Sequence, residues 1–525
     1  MGLRSFLSHA FAIGPAKQSR PRALGFGSQR TLGPMPSLPG APDDAIRGGL
    51  KLWRARARYQ CRFNPYAVQA KRTLQVNLIG PKGIHMIGNV PKRVQGGAIR
   101  DREKDEIKNG IIEREWKRFC RAENFDLAGR RSFHQYELAI AGSFAPDGGC
   151  MVRAVRRKAK MGELGLRFEL LSMQQLDDDY NGRPTANGRY WHLGVEYEAG
   201  TGRVVNYAII PGSVNASHAE KQRRLIVPAS EIRHIFIPEE IGQTREVPWL
   251  LPALTTIHQL DEYEHAHWVK KRNAANTLGF IRKNLPEVAD GNSLPGVASE
   301  EEQSTGELIS KSSSGQWIEL LPGEEPVPPP ANTDDGQYPE IVRNMIRRFS
   351  AALSLSYATI SRDFTQMNWA TLRQAVLEDR DHYRSNQSIV VQQFHQWVYE
   401  LWIEEAIMVG VLPIRIFGDY LRDPEPYLYP TWQPRSWKWV DPLKEIKALK
   451  EAQEANLETL AGQIAETTGE DLETTLVQRA YEVALMRQLK LPGYAEGDPS
   501  ESQNEGHPNQ GSGGGRRARS DGADG

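Results

Sequence analysis

An α+β fold is what this sequence predicts, and three observations predict it. Helical apolar spacing appears first, from Trp53 to Leu78. Short alternating segments then fill the middle third, as in Met151-Val152-Arg153-Ala154-Val155 and Leu166-Arg167-Phe168-Glu169-Leu170. Helical spacing returns at Leu250 and dominates to about Leu491. Helices and strands held in separate stretches of chain are the α+β pattern. At 525 residues the chain is long enough for roughly three domains of about 150 residues.

Residues 1–50 are rich in Gly, Pro, Ser and Arg with no sustained period, and they read as a basic flexible arm. Asn64-Pro65 interrupts the first helical run, with Asn64 as a cap and Pro65 in a first turn. A short amphipathic helix is expected over Ile111–Phe119, with Trp116 and Phe119 on its apolar side. Another is expected over Ser132–Ile140, capped by Ser132. The β layer adds Gly194–Tyr197, a Gly200-Thr201-Gly202 turn, Val204–Ile210 and Ile232–Ile237.

Leu250, Leu254, Ile257, Leu260 and Tyr263 step by 4, 3, 3 and 3, which keeps them on one face of a helix continuing through Trp268 to about Leu278. Residues 284–338 break the pattern around an apolar island, Trp317–Leu321, and a proline block at 326–330. Such a stretch is too long for an ordinary connection, so it predicts a small subdomain or a functional loop. Helix resumes at Ile341, Met345, Phe349 and Leu353, and again from about Trp369 to Met408. After a Pro-rich aromatic segment, 424–442, charged helices close the fold, and residues 495–525 read as a disordered tail.

Composition narrows the function. No stretch approaches the about 18 to 20 apolar residues of a membrane helix, so no membrane insertion is expected. Cys61, Cys120 and Cys150 can make neither a disulfide framework nor a structural zinc site. Met1–Gly14 is too short and polar for an export signal, and Phe6 stands where myristoylation needs Ser or Thr. The formal net charge is +1, yet residues 1–100 hold 17 Lys and Arg against only Asp43 and Asp44. A basic arm of that kind can hold phosphate or an acidic surface, or simply be solvated.

The search for catalytic chemistry is nearly empty. His258, Glu262, His265 and His267 have helical spacing, but no partner helix repeats it and it is not the His-Glu-x-x-His zinc pattern; a solvated helix face is expected. Gly142-Ser143 to Gly148-Gly149 lacks the Lys-Ser/Thr end of a phosphate loop and leads into a strand, so a turn is expected there. Asp177-Asp178-Asp179 reads as a loop end beside Asn181-Gly182, since adjacent carboxylates on a strand cannot all face one cation. There is no Gly-x-Ser-x-Gly, and no persuasive histidine partner for Cys120 or Cys150.

Six segments together resemble the lambda-type family of tailed-phage portal proteins. They begin with Arg62-Phe63-Asn64-Pro65-Tyr66-Ala67, followed by Val76-Asn77-Leu78-Ile79-Gly80 and Gly83-Ile84, and then Trp116 with Phe119. Val247-Pro248-Trp249-Leu250, with Leu260-Asp261-Glu262-Tyr263-Glu264, is the most recognisable stretch. Leu321-Pro322-Gly323-Glu324 follows, then Asp363-Phe364 and Asn368 with Arg373, Ala375, Leu377 and Glu378. Trp432 and Pro434 through Trp439-Val440-Asp441-Pro442 close the series. The resemblance runs from about residue 52 to 491 in the family's order, with departures at Asp147-Gly148-Gly149 and Ser354-Leu355-Ser356-Tyr357.

The resemblance implies a portal-type subunit: a mixed α/β wing over 51–245, a stem-type helix over 246–283 and a clip-like insertion over 284–338. A second stem-type helix, a tunnel segment and wing helices follow over 339–445, and a helical crown over 446–494. It implies a homo-oligomeric ring, usually of twelve subunits, at one vertex of a virion. Double-stranded DNA would be packaged through that ring by the terminase motor and later ejected. Implied partners are the terminase large subunit, the major capsid and scaffold proteins and the head–tail connector proteins, with assembly in the bacterial host cytoplasm. No catalytic residue, metal or cofactor is expected, and ATP hydrolysis would fall to the motor because this chain lacks a P-loop.

Under the same resemblance, Asn64, Pro65, Tyr66, Pro248, Trp249, Asp261, Glu262, Tyr263, Trp439, Asp441 and Pro442 are family-motif structural residues. Lys270, Lys271, Arg272, Arg282 and Lys283 are candidates to face DNA in the channel, the alternative being a solvated outer helix face. Arg362, Asp363, Gln366 and Asn368 are candidates for a loop narrowing the tunnel. Two rival readings stand beside this one: a metal-dependent enzyme using the His258–His267 cluster, and a soluble DNA-binding protein using the basic arm.

Overall fold

The computed structural model describes residues 41–93, 99–160, 162–182, 188–211, 224–276, 280–283, 324–327, 336–365, 367–437, 442–468 and 472–489. The chain forms two compact units, residues 1–435 and 436–525.

The first unit opens with α1 (Pro42–Phe63) and α2 (Pro65–Leu78), joined at Asn64. α1 starts inside the span whose composition reads as an arm. Proline in its first turn favours the start, and Ile46, Leu50 and Trp53 bury the helix on one face. Asn64 is extended, and its Oδ1 accepts from the Tyr66 and Ala67 N–H groups at 2.9 and 3.1 Å, the expected cap. Beyond β1 (His85–Ile87), β2 (Pro91–Arg93) and β3 (Ile99–Lys104) comes α3 (Glu106–Phe119), which begins earlier than the apolar spacing predicts because Asp105 caps it.

After α4 (Ala122–Phe125), α5 (Phe133–Asp147) starts at the Ser132 capping box. The turn expected across Gly142–Gly149 is corrected here, because the helix runs through Asp147. Ala141, Phe144 and Ala145 are buried, and Gly142 lets Gln75 of α2 approach so closely that an added Cβ would sit 2.3 Å from its amide nitrogen. Only Gly148, left-handed at φ +82° where L side chains are strained, and Gly149 turn the chain into the next strand.

Two antiparallel sheets follow. β4 (Gly149–Arg156) is the centre of a three-stranded sheet between β5 (Leu166–Leu171) and β10 (Ile232–Phe236). β6 (Arg189–His192), β7 (Val195–Glu198), β8 (Val204–Ile209) and β9 (Leu225–Pro228) form a meander in chain order. Met151, Leu171, Met173, Val195, Tyr207 and Ile232 make a core shared by both sheets.

α6 (Leu254–Asn276) leads away from this layer. A short antiparallel pair, β11 (Phe280–Lys283) with β12 (Glu324–Val327), stands in the register Arg282 to Glu325 and Lys283 to Glu324. The helix expected over 246–283 is therefore shorter: it ends at Asn276, and Phe280-Ile-Arg-Lys283 is extended. α7 (Tyr338–Ala352) returns against α6, and α8 (Tyr357–Ser361) against α2 and α7. The helical run predicted over Trp369–Met408 is α9 (Trp369–Val390), a π turn at Val391–His395, and α10 (Gln396–Met408).

α11 (Ile414–Arg422), α12 (Glu425–Leu428) and β13 (Thr431–Gln433) complete the unit, and β13 pairs with β1 across almost 350 residues of sequence. Trp116 lies 5.1 to 6.1 Å, centroid to centroid, from Phe133, Tyr399, Trp402 and Trp432, so α3, α5, α10 and β13 share one aromatic core. Beside it, Glu137 is buried and pairs with the Ile84 N–H (3.0 Å), His395 Nε2 (2.7 Å) and His134 Nδ1 (3.0 Å). Burial alone would raise its carboxyl, but the hydrogen bonds from His134 and His395 prevail and hold it below the usual range. The second unit contributes α13 (Pro442–Glu454), α14 (Leu460–Thr468) and α15 (Leu472–Gln488).

Candidate functional site

The portal-motif residues meet at the root of α6. Asn64, while capping α2, donates through Nδ2 to Asp261 Oδ1 at 2.5 Å. Tyr66 directs its hydroxyl to Glu264, 3.5 Å away. Burial pushes the Tyr66 phenol up to about 12, aided by the Glu264 charge, and burial also raises the carboxyls of Asp261 and Glu264. Trp249 stacks on Phe144 with centroids 4.8 Å apart, while the Trp249 and Leu250 N–H groups donate to the Phe144 and Ala145 carbonyls at the end of α5. The Pro248 carbonyl accepts from Leu251 N–H at 2.8 Å as the chain turns into α6. The motif is an anchor: the α1–α2 elbow and α5 grip the first turns of the long helix.

α6 changes character along its length. Leu254, Ile257 and Leu260 are buried, as the 3.6-residue period demands. Beyond them Tyr263 and His267 stack on Tyr338 of α7, at 5.8 and 3.8 Å, and Trp268 is 69% exposed. Lys270 and Arg272 are exposed and Lys271 is half-buried. Successive helical residues lie about 100° apart, so these three cations fan around the helix and do not share one face. Arg282 and Lys283 sit on β11, off the helix.

On the returning helix, Arg343 pairs with Glu340 at 3.3 Å, Arg347 lies over the Tyr357 ring at 5.7 Å, and Arg348 is exposed. Sequence reading missed these three, although 343 and 347 are one helical turn apart.

The expected tunnel segment starts at the end of α8. Arg362 is left-handed at φ +58° and closes that helix. The Gln69 amide, with its oxygen turned to Arg362, accepts from both Nε and Nη2 at 2.9 Å. Asp363 accepts from Thr365 Oγ1 (2.6 Å), Thr365 N–H (3.0 Å) and Tyr357 OH (3.1 Å), and its carboxyl lies below the usual range chiefly because of Thr365. Asn368 caps α9 through Thr371 N–H at 2.8 Å. Buried Asp379 holds the other side, accepting from Ser356 N–H, Ser356 Oγ and Thr359 Oγ1 at 2.6 to 2.8 Å. The result is a hydrogen-bonded loop with Phe364 and Trp369 more than half exposed. Gln366, Trp439 and Asp441 lie outside the described residues, and Pro442 opens α13.

The rival clusters resolve differently. His258 and Glu262 meet at 3.3 Å on open surface, and His267 is taken up by Tyr338. Each carboxylate of Asp177-Asp178-Asp179 faces a different cation: Arg224 at 2.6 Å, Arg54 and Arg245 at 3.2 and 2.6 Å, and Lys51 at 2.5 Å. Among the described residues no group of three or more His, Cys, Asp and Glu converges as a metal site, and no helix is long and apolar enough to cross a membrane.

These contacts anchor the root of α6, set α7 beside it and brace the loop after α8. The chain belongs to the lambda family of phage portal proteins, whose signature matches residues 29–387. It is 27% identical over 461 residues to the "Probable portal protein" of Halomonas phage phiHAP-1, covering 86% of this chain and 84% of that one. It is 22% identical over 492 residues to portal protein B of Escherichia phage lambda, covering 90% of each chain. Against the portal protein of Escherichia phage N15 it is 22% identical over 474 residues, covering 87% of this chain and 88% of that one. Among solved structures, a chain in the neck of an empty GTA particle aligns with TM-score 0.41 and 12% identity, covering 78% of this chain and 92% of that one. A chain in the virion of a native gene transfer agent aligns with TM-score 0.40 and 13% identity, covering 78% and 91%. The function is that of a phage portal, a structural channel component of the virion, and DNA packaging is implied by the family.

Proposed function

We propose that about twelve copies close into a ring at one capsid vertex and that double-stranded DNA passes through it, inward under the terminase motor and outward at infection. A closed ring of like subunits needs heterologous contacts, each copy presenting two different faces. In this reading residues 51–245 form the wing, α6 and α7 the stem, and 284–338 the clip that docks first the terminase large subunit and then the head–tail connector proteins. Residues 339–445 carry the tunnel loop and wing helices, 446–494 form the crown, and the major capsid and scaffold proteins surround the ring. Assembly takes place in the bacterial host cytoplasm.

The observation that carries the conduit reading is the polarity of α6: a buried, hydrogen-bonded root and a distal half with exposed Lys270 and Arg272. A conduit must pass every sequence, so it needs loose phosphate contact and no reading of base edges. A few cations at intervals supply that, whereas a dense basic wall would hold DNA in place. The neutral total charge fits the same demand. Native mass spectrometry with negative-stain imaging tests it: the expected particle is a ring with an axial hole and about twelve copies. A stable monomer or dimer across protein and salt concentrations would overturn it.

A further inference from the structure

A cationic hollow lies on the first unit, and no residue of α6 or of the tunnel loop lines it. α3 and the residue after its cap present Arg114, Lys117, Arg118 and Arg121 on the exposed surface. Their spacing of 3, 1 and 3 returns them to one helical stripe. Facing them, Arg156 at the end of β4 and Arg157, Lys158 and Lys160 in the connection to β5 are all exposed. Between the two rims is a hollow of about 370 Å³, lined by Arg118, Arg157, Lys158 and Arg167, with Glu115 and Glu163 in its walls. Leu164 and Val411, both half-buried, give it apolar edges above the buried Phe119. A second hollow, which shares Glu115 and Arg118, continues it along α3.

The hollow is built rather than incidental. Arg157 N–H donates to the Gly165 carbonyl at 3.0 Å, and Glu163 N–H to that of Lys160 at 3.0 Å, which closes the β4–β5 connection on itself. Gly162 N–H donates to the Val409 carbonyl at 3.2 Å, and Glu405 accepts from both Gly165 and Leu166 N–H at 2.8 Å, which pins the connection to α10. The side chains of Arg157 and Arg167 are steered by main-chain carbonyls: Arg157 by Leu127, Arg167 by Leu164 and Leu166. Within the hollow, Arg118 meets Glu115 at a loose 3.7 Å.

We propose that this hollow is the docking site for an acidic segment of a partner protein, a short run of Asp and Glu that carries one apolar side chain. Three features favour a peptide over nucleic acid. The hollow is concave and small, whereas a duplex presents a convex surface wider than the major groove's about 12 Å. Glu115 and Glu163 repel a uniformly charged phosphate backbone but leave room for spaced carboxylates. The apolar edges have no use to a phosphate chain, yet they accept an aliphatic anchor of the kind that fixes a bound peptide. The rim cations would set the rate and salt dependence of association, and the anchored centre its specificity.

The test uses the full-length protein as it assembles and a fluorescein-labelled twelve-residue peptide with alternating Glu and one central Leu, read by fluorescence anisotropy. Saturable binding is expected, lost when Gln replaces the Glu residues, and weakened about tenfold or more by Arg118→Glu with Lys158→Glu. Circular dichroism should be unchanged in that variant. If it does not fold, Lys158→Ala with Lys160→Ala, confined to the exposed connection, should weaken binding several-fold. Equal affinity of the folded variant and the parent protein would overturn the proposal. So would displacement of the peptide by a short DNA duplex at lower concentration than by unlabelled peptide.

Discussion

α1 and α6 carry the same kinds of cation to opposite ends. On α1, Lys51, Arg54 and Arg58 recur at helical spacing and meet Asp179, Asp178 and Asp147 at 2.5, 3.2 and 2.5 Å. Arg54 is 3% exposed, and with Arg245 and His234 it closes around Glu246, which is fully buried. On α6, Lys270 and Arg272 reach solvent. The residue types do not differ; their surroundings do, because the 177–179 loop and the end of α5 bring acids to α1, while Lys270 and Arg272 lie on exposed surface. Of the 17 cations in the first hundred residues, 12 lie beyond residue 40, all within described elements or their connections. The positive excess there is therefore largely a property of a structured region. It follows that deleting residues 1–50 would not test an arm: it would remove Ile46 and Leu50 from the core, and Asp43, which accepts from Thr244 N–H at 3.0 Å and its hydroxyl at 2.7 Å.

The sharpest way to break the comparison is Glu246→Ala. It takes from buried Arg54 and Arg245 one of the two carboxylates they share, leaving only Asp178, and a loss of about 3 kcal/mol is expected. Urea unfolding would show it as a large fall in midpoint, and a midpoint unchanged from the parent protein would mean that the network is not under strain when opened.

A smaller effect concerns pH. Burial first, then the charges of Arg245 and Arg54, hold His234 well below the usual histidine value of 6.5. The folded protein therefore resists a proton that the unfolded chain accepts. This contribution is fully present above about pH 6.5 and is lost as pH falls toward the folded value, at about 1.4 kcal/mol per unit. His234→Gln should flatten that slope in unfolding midpoints measured between pH 7 and pH 5; an unchanged slope would place the titration elsewhere.

The smallest effect on stability belongs to α6. Lys270→Glu with Arg272→Glu should leave the unfolding midpoint within about 0.5 kcal/mol and the ring intact. Packaged DNA per particle should nevertheless fall, because the conduit would then repel phosphate. Normal packaging by intact rings would assign both residues to a solvated outer face.

Much of the fold was legible because its period was local. β4, β5, β7, β8 and β10 lie where alternation places them, and α6 and α9–α10 where the helical stripe does. β6 was missed because Arg189-Tyr-Trp-His192 has no alternation to read, all four residues being at least partly exposed. β1 and β13, three residues each, are too short to show a period and exist only through each other. The Gly142–Gly149 stretch misled because glycine signals a turn, whereas Gly142 serves close helix packing. At the site, Asn64 and Tyr66 were identified by motif, but their partners Asp261 and Glu264, nearly two hundred residues on, were not paired with them.

By itself the sequence determined the α+β class, the order of most elements, the caps at Asn64 and Ser132, and family membership, all of which depend on residues near one another or on a motif string. The tertiary structure alone decided which charges are interior and which are free. Pairing Arg54 with Asp178 or Asn64 with Asp261 joins positions 124 and 197 residues apart. No local pattern encodes such a choice, because the free energy of a charge depends on what surrounds it after folding, and neighbours in space are set by packing rather than by spacing along the chain.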